Sequence, residues 1–155
     1  MNIIPLPYYE GLELPALQSP EAAGIDLRAA IDLPIVLNPQ DSALIPSGLR
    51  VDIGSYKYEL PQGMNIYGCV LPRSGLGFKH YIRLANTAGV IDSDYQGEIM
   101  IKIRNEGYDN LEIKRGDRIC QMVFQVCLAP FDFNVVEEFD RETKRGKGGF
   151  GHTGI

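Results

Sequence analysis

Glycine and proline punctuate this chain at short intervals, 17 and 10 of them, cutting its apolar residues into runs too short for most helices. Runs of roughly four to eight residues bounded by turn formers are the grammar of a sheet protein. Ile3 to Tyr8 reads as an edge strand, because Pro5 and Pro7 cannot donate to a ladder on both sides. Residues 11–23 read as loop. Ile25 to Ala29, Ile35 to Leu37 and Ala43 to Pro46 read as short strands, Gly48 to Ile53 alternates cleanly, and Gly54 to Gly63 is turn-rich. Met64 to Leu71 is largely apolar on both faces. Glu98 to Arg104 sets Ile99, Ile101 and Ile103 on one face and Met100, Lys102 and Arg104 on the other. Arg118 to Leu128 is apolar on both faces, as a central, doubly covered strand would be. The one helix expected is a turn or two after Ser74. The predicted architecture is all-β, a compact β-sandwich or distorted barrel.

A chain of 155 residues is most simply one domain, long enough to bury roughly 68–70% of its unfolded surface. Its formal net charge of −5 argues against a broad basic face for nucleic acid, although a few clustered cations suffice for a small anion. Cys69, Cys120 and Cys127 are odd in number and lie in apolar runs, which predicts buried free thiols in a reducing compartment. The N-terminus has no basic region of a signal peptide, and no apolar run reaches the length of a membrane span. Cytoplasm is the expected location, or the host-cell interior for a viral chain, with no membrane partner.

From about Asp140 the chain changes character. Residues 141–147 carry four cations and one anion, and Gly148 to Ile155 is glycine-rich. Such a tail cannot bury enough apolar surface to fold alone. It is either a frayed terminus or an arm that closes over a ligand, and Phe150, a large ring set among glycines, favours the arm. The expected division is a β-barrel domain over 1–139 and an arm over 140–155.

Chemistry concentrates in a few stretches. Gly89 to Met100 has apolar flanks around Asp-Ser-Asp and reads as two strands joined by a short turn, with Asp92 just inside the apolar flank. A carboxylate costs several kcal/mol or so to bury unpaired, so Asp92 either forms an Asx turn or has a task. Pro72 to Gly77 follows a buried strand and opens the short helix. Arg73, Ser74 and the helical N–H groups there could bind an anion, or Ser74 could simply cap the helix. Asp26 and Arg28 alternate along a strand and suit an ion pair as well as a site. Gln121 is polar within an apolar run and needs partners. The glycines from Gly146 to Gly151 match a dinucleotide-binding spacing only formally, because no strand precedes them and four residues follow. His80 and His152 have no partners at zinc spacing, and His80 reads as a surface or helix-end residue.

Taken in order, these stretches resemble the trimeric deoxyuridine triphosphatases (dUTPases). The matching segments are Ala-Gly-Ile-Asp-Leu-Arg, Pro-Arg-Ser-Gly-Leu, Gly-Val-Ile-Asp-Ser-Asp-Tyr-Gln-Gly-Glu-Ile, Gly-Asp-Arg-Ile-Cys-Gln and Arg-Gly-Lys-Gly-Gly-Phe-Gly-His-Thr-Gly, from about Ala22 to Gly154. The resemblance implies a distorted jelly-roll or β-sandwich-like barrel with one short helix and a glycine-rich C-terminal arm. It implies hydrolysis of dUTP to dUMP and pyrophosphate by water attack on the α-phosphorus, with Mg²⁺ on the triphosphate. Such an activity limits uracil incorporation into DNA and supplies dUMP for thymidylate synthesis.

Carried onto this chain, Asp92 is the implied general base. Arg73, Ser74, Gly75, Gln121, Arg145, Gly151 and Thr153 are implied phosphate contacts. Asn86, Gly89, Val90, Ile91 and Met100 would surround uracil within a hairpin, Tyr95 would lie under the deoxyribose, and Phe150 would stack on the base. No direct protein ligand is expected for the metal, with Asp26 a candidate for its outer shell or for orienting arginines. The resemblance further implies a homotrimer with shared active sites, each closed by a neighbour's arm. The competing readings are a nucleotide-binding regulatory module that uses the same pocket without turnover, a related deoxycytidine triphosphate deaminase, and a purely structural β-trimer.

Overall fold

The computed structural model describes residues 1–128 and 132–149. Among these, the strands in chain order are β1 (Asn2–Pro5), β2 (Gly24–Arg28), β3 (Ile35–Leu37), β4 (Ser42–Asp52), β5 (Met64–Pro72), β6 (Ile82–Leu84), β7 (Gly89–Ile91), β8 (Glu98–Asn105), β9 (Leu111–Ile113) and β10 (Arg118–Leu128). One helix, α1 (Ser74–His80), and two 3-10 turns at Pro7–Tyr9 and Ile53–Glu59 complete the described structure. The fold is all-β. One antiparallel sheet runs β1-β4-β8-β6, a second runs β2-β10-β5-β7, and β3 pairs with β9.

The core lies between the two larger sheets, because both supply residues to one buried cluster. Ile99, Ile101 and Ile103 of β8 point inward against Leu27, Val70 and Met122 of the second sheet, and the intervening Met100, Lys102 and Arg104 point out. That is the period-two division anticipated for this strand. Asn105, at the end of β8, is fully buried and fully used. Its amide donates to the Leu37 carbonyl at 2.9 Å and the Asp109 carbonyl at 2.8 Å, and its oxygen accepts from the Gly107 N–H at 2.9 Å.

Several expectations need correction. The runs at Ala43 to Pro46 and Gly48 to Ile53 belong to one strand, β4, whose register against β8 shifts between Pro46 and Arg50. The edge strand ends at Pro5, because Pro7 starts a 3-10 turn. β10 is central in its sheet, but only its first half is covered. Val126 is 52% exposed and Leu128 71%, so this end of the strand presents an apolar face outward. All three cysteines are free as expected, yet only Cys120 is buried. No helix of the described residues is long and apolar enough to cross a membrane.

Candidate active site

The stretch from Gly89 to Met100 is not a closed hairpin. β7 pairs with β5 at the edge of one sheet, and β8 pairs with β4 and β6 in the other. The chain crosses between sheets, and a cleft of about 410 Å³ opens where it does so. Asn86, Gly89, Val90, Ile91 and Met100 all line it, joined by Leu44, Leu84 and Lys102. As the last strand of its sheet, β7 has one edge whose backbone N–H and C=O groups no neighbouring strand occupies. An apolar slot beside a free strand edge suits a flat heterocycle that needs both stacking area and paired polar groups.

Asp92 is the first residue after β7. Its carbonyl accepts the Tyr95 N–H at 3.1 Å, which closes a β-turn through the main chain. Its carboxylate has no hydrogen-bond or ion-pair partner among the described residues, so the Asx-turn reading does not hold. Nor is the side chain buried, contrary to what the apolar flank suggested: in the single chain it is exposed, lining a cleft with Asn65, Tyr67, Ser93 and Lys57. Tyr95 folds back over Gly97 and donates its hydroxyl to the Glu98 carbonyl at 2.8 Å. A Cβ on Gly97 would stand 2.4 Å from that hydroxyl oxygen, so the ring's place depends on the glycine.

Arg73, Ser74, Gly75, Gln121 and Asp26 meet in a separate, polar cleft of about 250 Å³. Strand β10 brings these together, since it pairs Gln121 with Asp26 of β2 on one side and with Leu71 of β5 on the other. Asp26 does not pair with Arg28. One of its oxygens takes the Arg73 Nε at 2.8 Å and the other the Arg118 Nη1 at 3.3 Å. Arg28 instead pairs with Glu13 and donates to the Gly116 carbonyl at 2.9 Å. Arg73 is braced again by a bond from its Nη1 to the Arg118 carbonyl at 3.1 Å. Gln121 donates to the Pro72 carbonyl at 3.0 Å, leaving its second N–H and its oxygen for a ligand. Ser74 opens α1 but makes no capping bond, since the cap position falls on Arg73. A firmly held guanidinium beside a hydroxyl unused among the described residues and an open glycine has the donors to hold an oxyanion.

Arg145, the one remaining expected residue that is described, is not brought to any of these clefts. Arg145 donates its Nε to the Gly148 carbonyl at 2.9 Å within a turn of the tail. Phe150, Gly151 and Thr153 lie outside the described residues. His80 ends α1 and is exposed, as expected. Lys57, Asn65 and Ser93 share the Asp92 cleft and were not anticipated, because nothing local marks them. Among the described residues no three His, Cys, Asp or Glu side chains cluster as metal ligands would.

Comparison with known proteins converges on one family. The dUTPase family model matches residues 10–154. A deoxyuridine 5'-triphosphate nucleotidohydrolase of Sodalis glossinidius is 48% identical over 141 residues, covering 91% of this chain and 87% of its own. A protein of the same name from Escherichia coli is 47% identical over 141 residues, with 91% and 87% covered. Among solved structures, the dUTPase of Staphylococcus bacteriophage 80alpha with dUPNHPP superposes with a TM-score of 0.81 at 25% identity, covering 99% of this chain and 98% of that one. The dUTPase of phage phi11 of S. aureus, whose structure describes coordination of a structural Mg(II) ion, superposes with a TM-score of 0.72 at 24% identity, covering 90% and 98%. The likeness spans sequence and fold alike over nearly the full length, and the chain belongs to the dUTPase family.

Proposed function

We propose that this dUTP nucleotidohydrolase cleaves dUTP to dUMP and pyrophosphate through water attack on the α-phosphorus, with Asp92 as the general base. The observation that carries the proposal is the Asp92 carboxylate, unpartnered among the described residues, at the end of β7 and one residue beyond the backbone that lines the apolar cleft. A free carboxylate can accept a proton from water held at about 2.6–3.2 Å. In the proposed step the water oxygen bonds to the α-phosphorus, its proton passes to Asp92, and the bond to the bridging oxygen breaks, releasing pyrophosphate.

Uracil would occupy the apolar cleft, its polar edge meeting the free edge of β7. Val90 and Ile91, which line the cleft, would crowd a 5-methyl group, and fixed backbone polarity would mismatch the amino group of cytosine. Tyr95 would pack under the deoxyribose and reject a 2'-hydroxyl. Arg73, Ser74, Gly75 and Gln121 would hold phosphate oxygens, and Asp26 keeps Arg73 aimed. Arg145, Gly151 and Thr153 would reach the triphosphate from the arm, with Phe150 stacking on the base and excluding water. Mg²⁺ on the triphosphate would supply charge neutralisation. The donor set fits that mode: both Asp26 oxygens are committed to arginines, so its contact with the metal would run through water.

A homotrimer with shared sites would account for the separation of the Asp92 cleft from the one that Arg73 lines, since neither holds both residues. It also accounts for the outward apolar face of β10. Cytoplasm, or the host interior for a viral chain, is the proposed location. The test is a panel of dUTP, dTTP, dCTP and UTP with pyrophosphate detection, run on the parent and on Asp92→Asn. We expect turnover of dUTP, and a kcat for the variant lower by about 10²- to 10⁴-fold with KM little changed. Equal rates would overturn the assignment of the base, and absence of pyrophosphate from the parent would favour a binding module.

A further inference from the structure

Because the Asp92 carboxylate has no side-chain partner among the described residues, only its main chain can aim it. The very next residue is held twice, once through its main chain and once through its side chain. The Ser93 carbonyl accepts the Gly54 N–H at 2.9 Å. The Ser93 hydroxyl accepts the Asn65 Nδ2–H at 3.2 Å. Both donors come from a stretch with no other part in the chemistry, one in the 3-10 turn before β5 and one at the start of β5.

Each donor is itself fixed. The turn bearing Gly54 is locked at its start, where the Asp52 carboxylate accepts the Ser55 N–H at 3.2 Å and the Ser55 hydroxyl donates to the Asp52 carbonyl at 2.8 Å. Asn65 uses its own oxygen to accept the Ile66 N–H at 2.9 Å and pairs with Cys127 of β10 in the sheet. The fit at Gly54 is close, since a Cβ there would stand 2.7 Å from the Ser93 carbonyl oxygen. Any side chain at this position must push Ser93, and with it Asp92, away.

We infer that Gly54 and Asn65 are positioning residues for hydrolysis, clamping Ser93 from two sides so that the Asp92 carboxylate meets the attacking water. The inference rests on Asp92 being the base. A shift of about 1 Å in a reacting group costs on the order of 10²-fold in rate, so loosening the clamp is read in kcat rather than in KM.

The experiment measures kcat, KM and urea midpoints for Asn65→Ala, Ser93→Ala, the double variant, Gly54→Ala and Ser93→Thr, with Asp92→Asn alongside. We expect Asn65→Ala, Ser93→Ala and Gly54→Ala each to lose about tenfold or more in kcat with KM within about twofold. The double variant should be no slower than the slower single one, because the two side chains share one contact. Ser93→Thr, which keeps the hydroxyl, should retain at least about half the parent kcat. Parental kcat in folded Asn65→Ala and Ser93→Ala, beside an inactive Asp92→Asn, would overturn the clamp and leave the base standing. Lowered urea midpoints with parental kcat, or single losses that multiply in the double variant, would overturn it too. Parental activity in Asp92→Asn would instead sink the base, and the clamp with it. Should Gly54→Ala fail to fold, the Asn65 and Ser93 variants decide the matter.

Discussion

Asp26 and Asp92 are both carboxylates flanked by apolar sequence, and they end in opposite situations. Asp26 spends both oxygens on Arg73 and Arg118, whereas Asp92 spends none among the described residues. The sequence marked both residues but could not separate them, since the partners of Asp26 lie far along the chain. The alternation of Asp26 with Arg28 even pointed to the wrong arginine, as facing one side of a strand does not decide which cation arrives from the neighbouring strands. Cys120, beside this cluster, gives a pH prediction. Burial pushes its thiol up from 9.0 to about 12, with Asp26 adding to the rise and Arg73 opposing it. Above about pH 9 the unfolded chain loses this proton while the folded chain keeps it, so unfolding is favoured. The contribution is fully present below that pH and erodes as the pH climbs towards 12. Tyr8, raised from 10.0 to about 12 chiefly by burial and then by its bond to Glu98, steepens the same fall. Urea midpoints between about pH 8 and about pH 11 should decline, and decline less in Cys120→Ala.

At the scale of elements, alternation carried the reading where one strand sits in one sheet. The bounds of β10 follow from the length of its apolar run, and the inward isoleucines of β8 from period two. It failed where topology intervenes. Two apolar runs around Asp-Ser-Asp look like a hairpin, because spacing does not record that β7 and β8 join different sheets. The missing ladder between them is what leaves room for a ligand. The same blindness hid Gly54, whose role depends on Ser93 approaching across the fold. Gly97 gives an element-level prediction. In Gly97→Ala the new methyl would displace the Tyr95 ring, which loses its bond to the Glu98 carbonyl. The ratio of kcat/KM for dUTP over UTP should then fall, by about tenfold, through loss of the steric block against a 2'-hydroxyl. Competition assays with both nucleotides check it.

At the scale of the whole molecule, the two clefts and the open end of β10 pose one problem. Phe78, 86% exposed, and Tyr81 lie beside Arg73 and add to the apolar surface left uncovered in a single chain. Copies that cover these faces and lend each other residues solve both difficulties. Mixing two inactive variants tests the idea. Asp92→Asn and Arg73→Ala chains, unfolded together and refolded, should regain part of the parental rate, because some hybrid sites draw an intact residue from each. No recovery, with hybrids demonstrated by mass, would place each site within one chain. The expectation of a trimer came from the resemblance, and composition could not have supplied it, because exposed apolar residues are recognisable only once the rest of the surface is folded.

Asp92 and Arg73 line different clefts of the single chain, and, under the proposed sharing of sites between copies, that separation also bears on how the enzyme comes into being. A polypeptide fresh from the ribosome would be chemically silent towards cellular nucleotides until it finds its sisters. Specific activity should therefore collapse on extreme dilution and return on concentration, making subunit encounter itself the switch that turns the protein on.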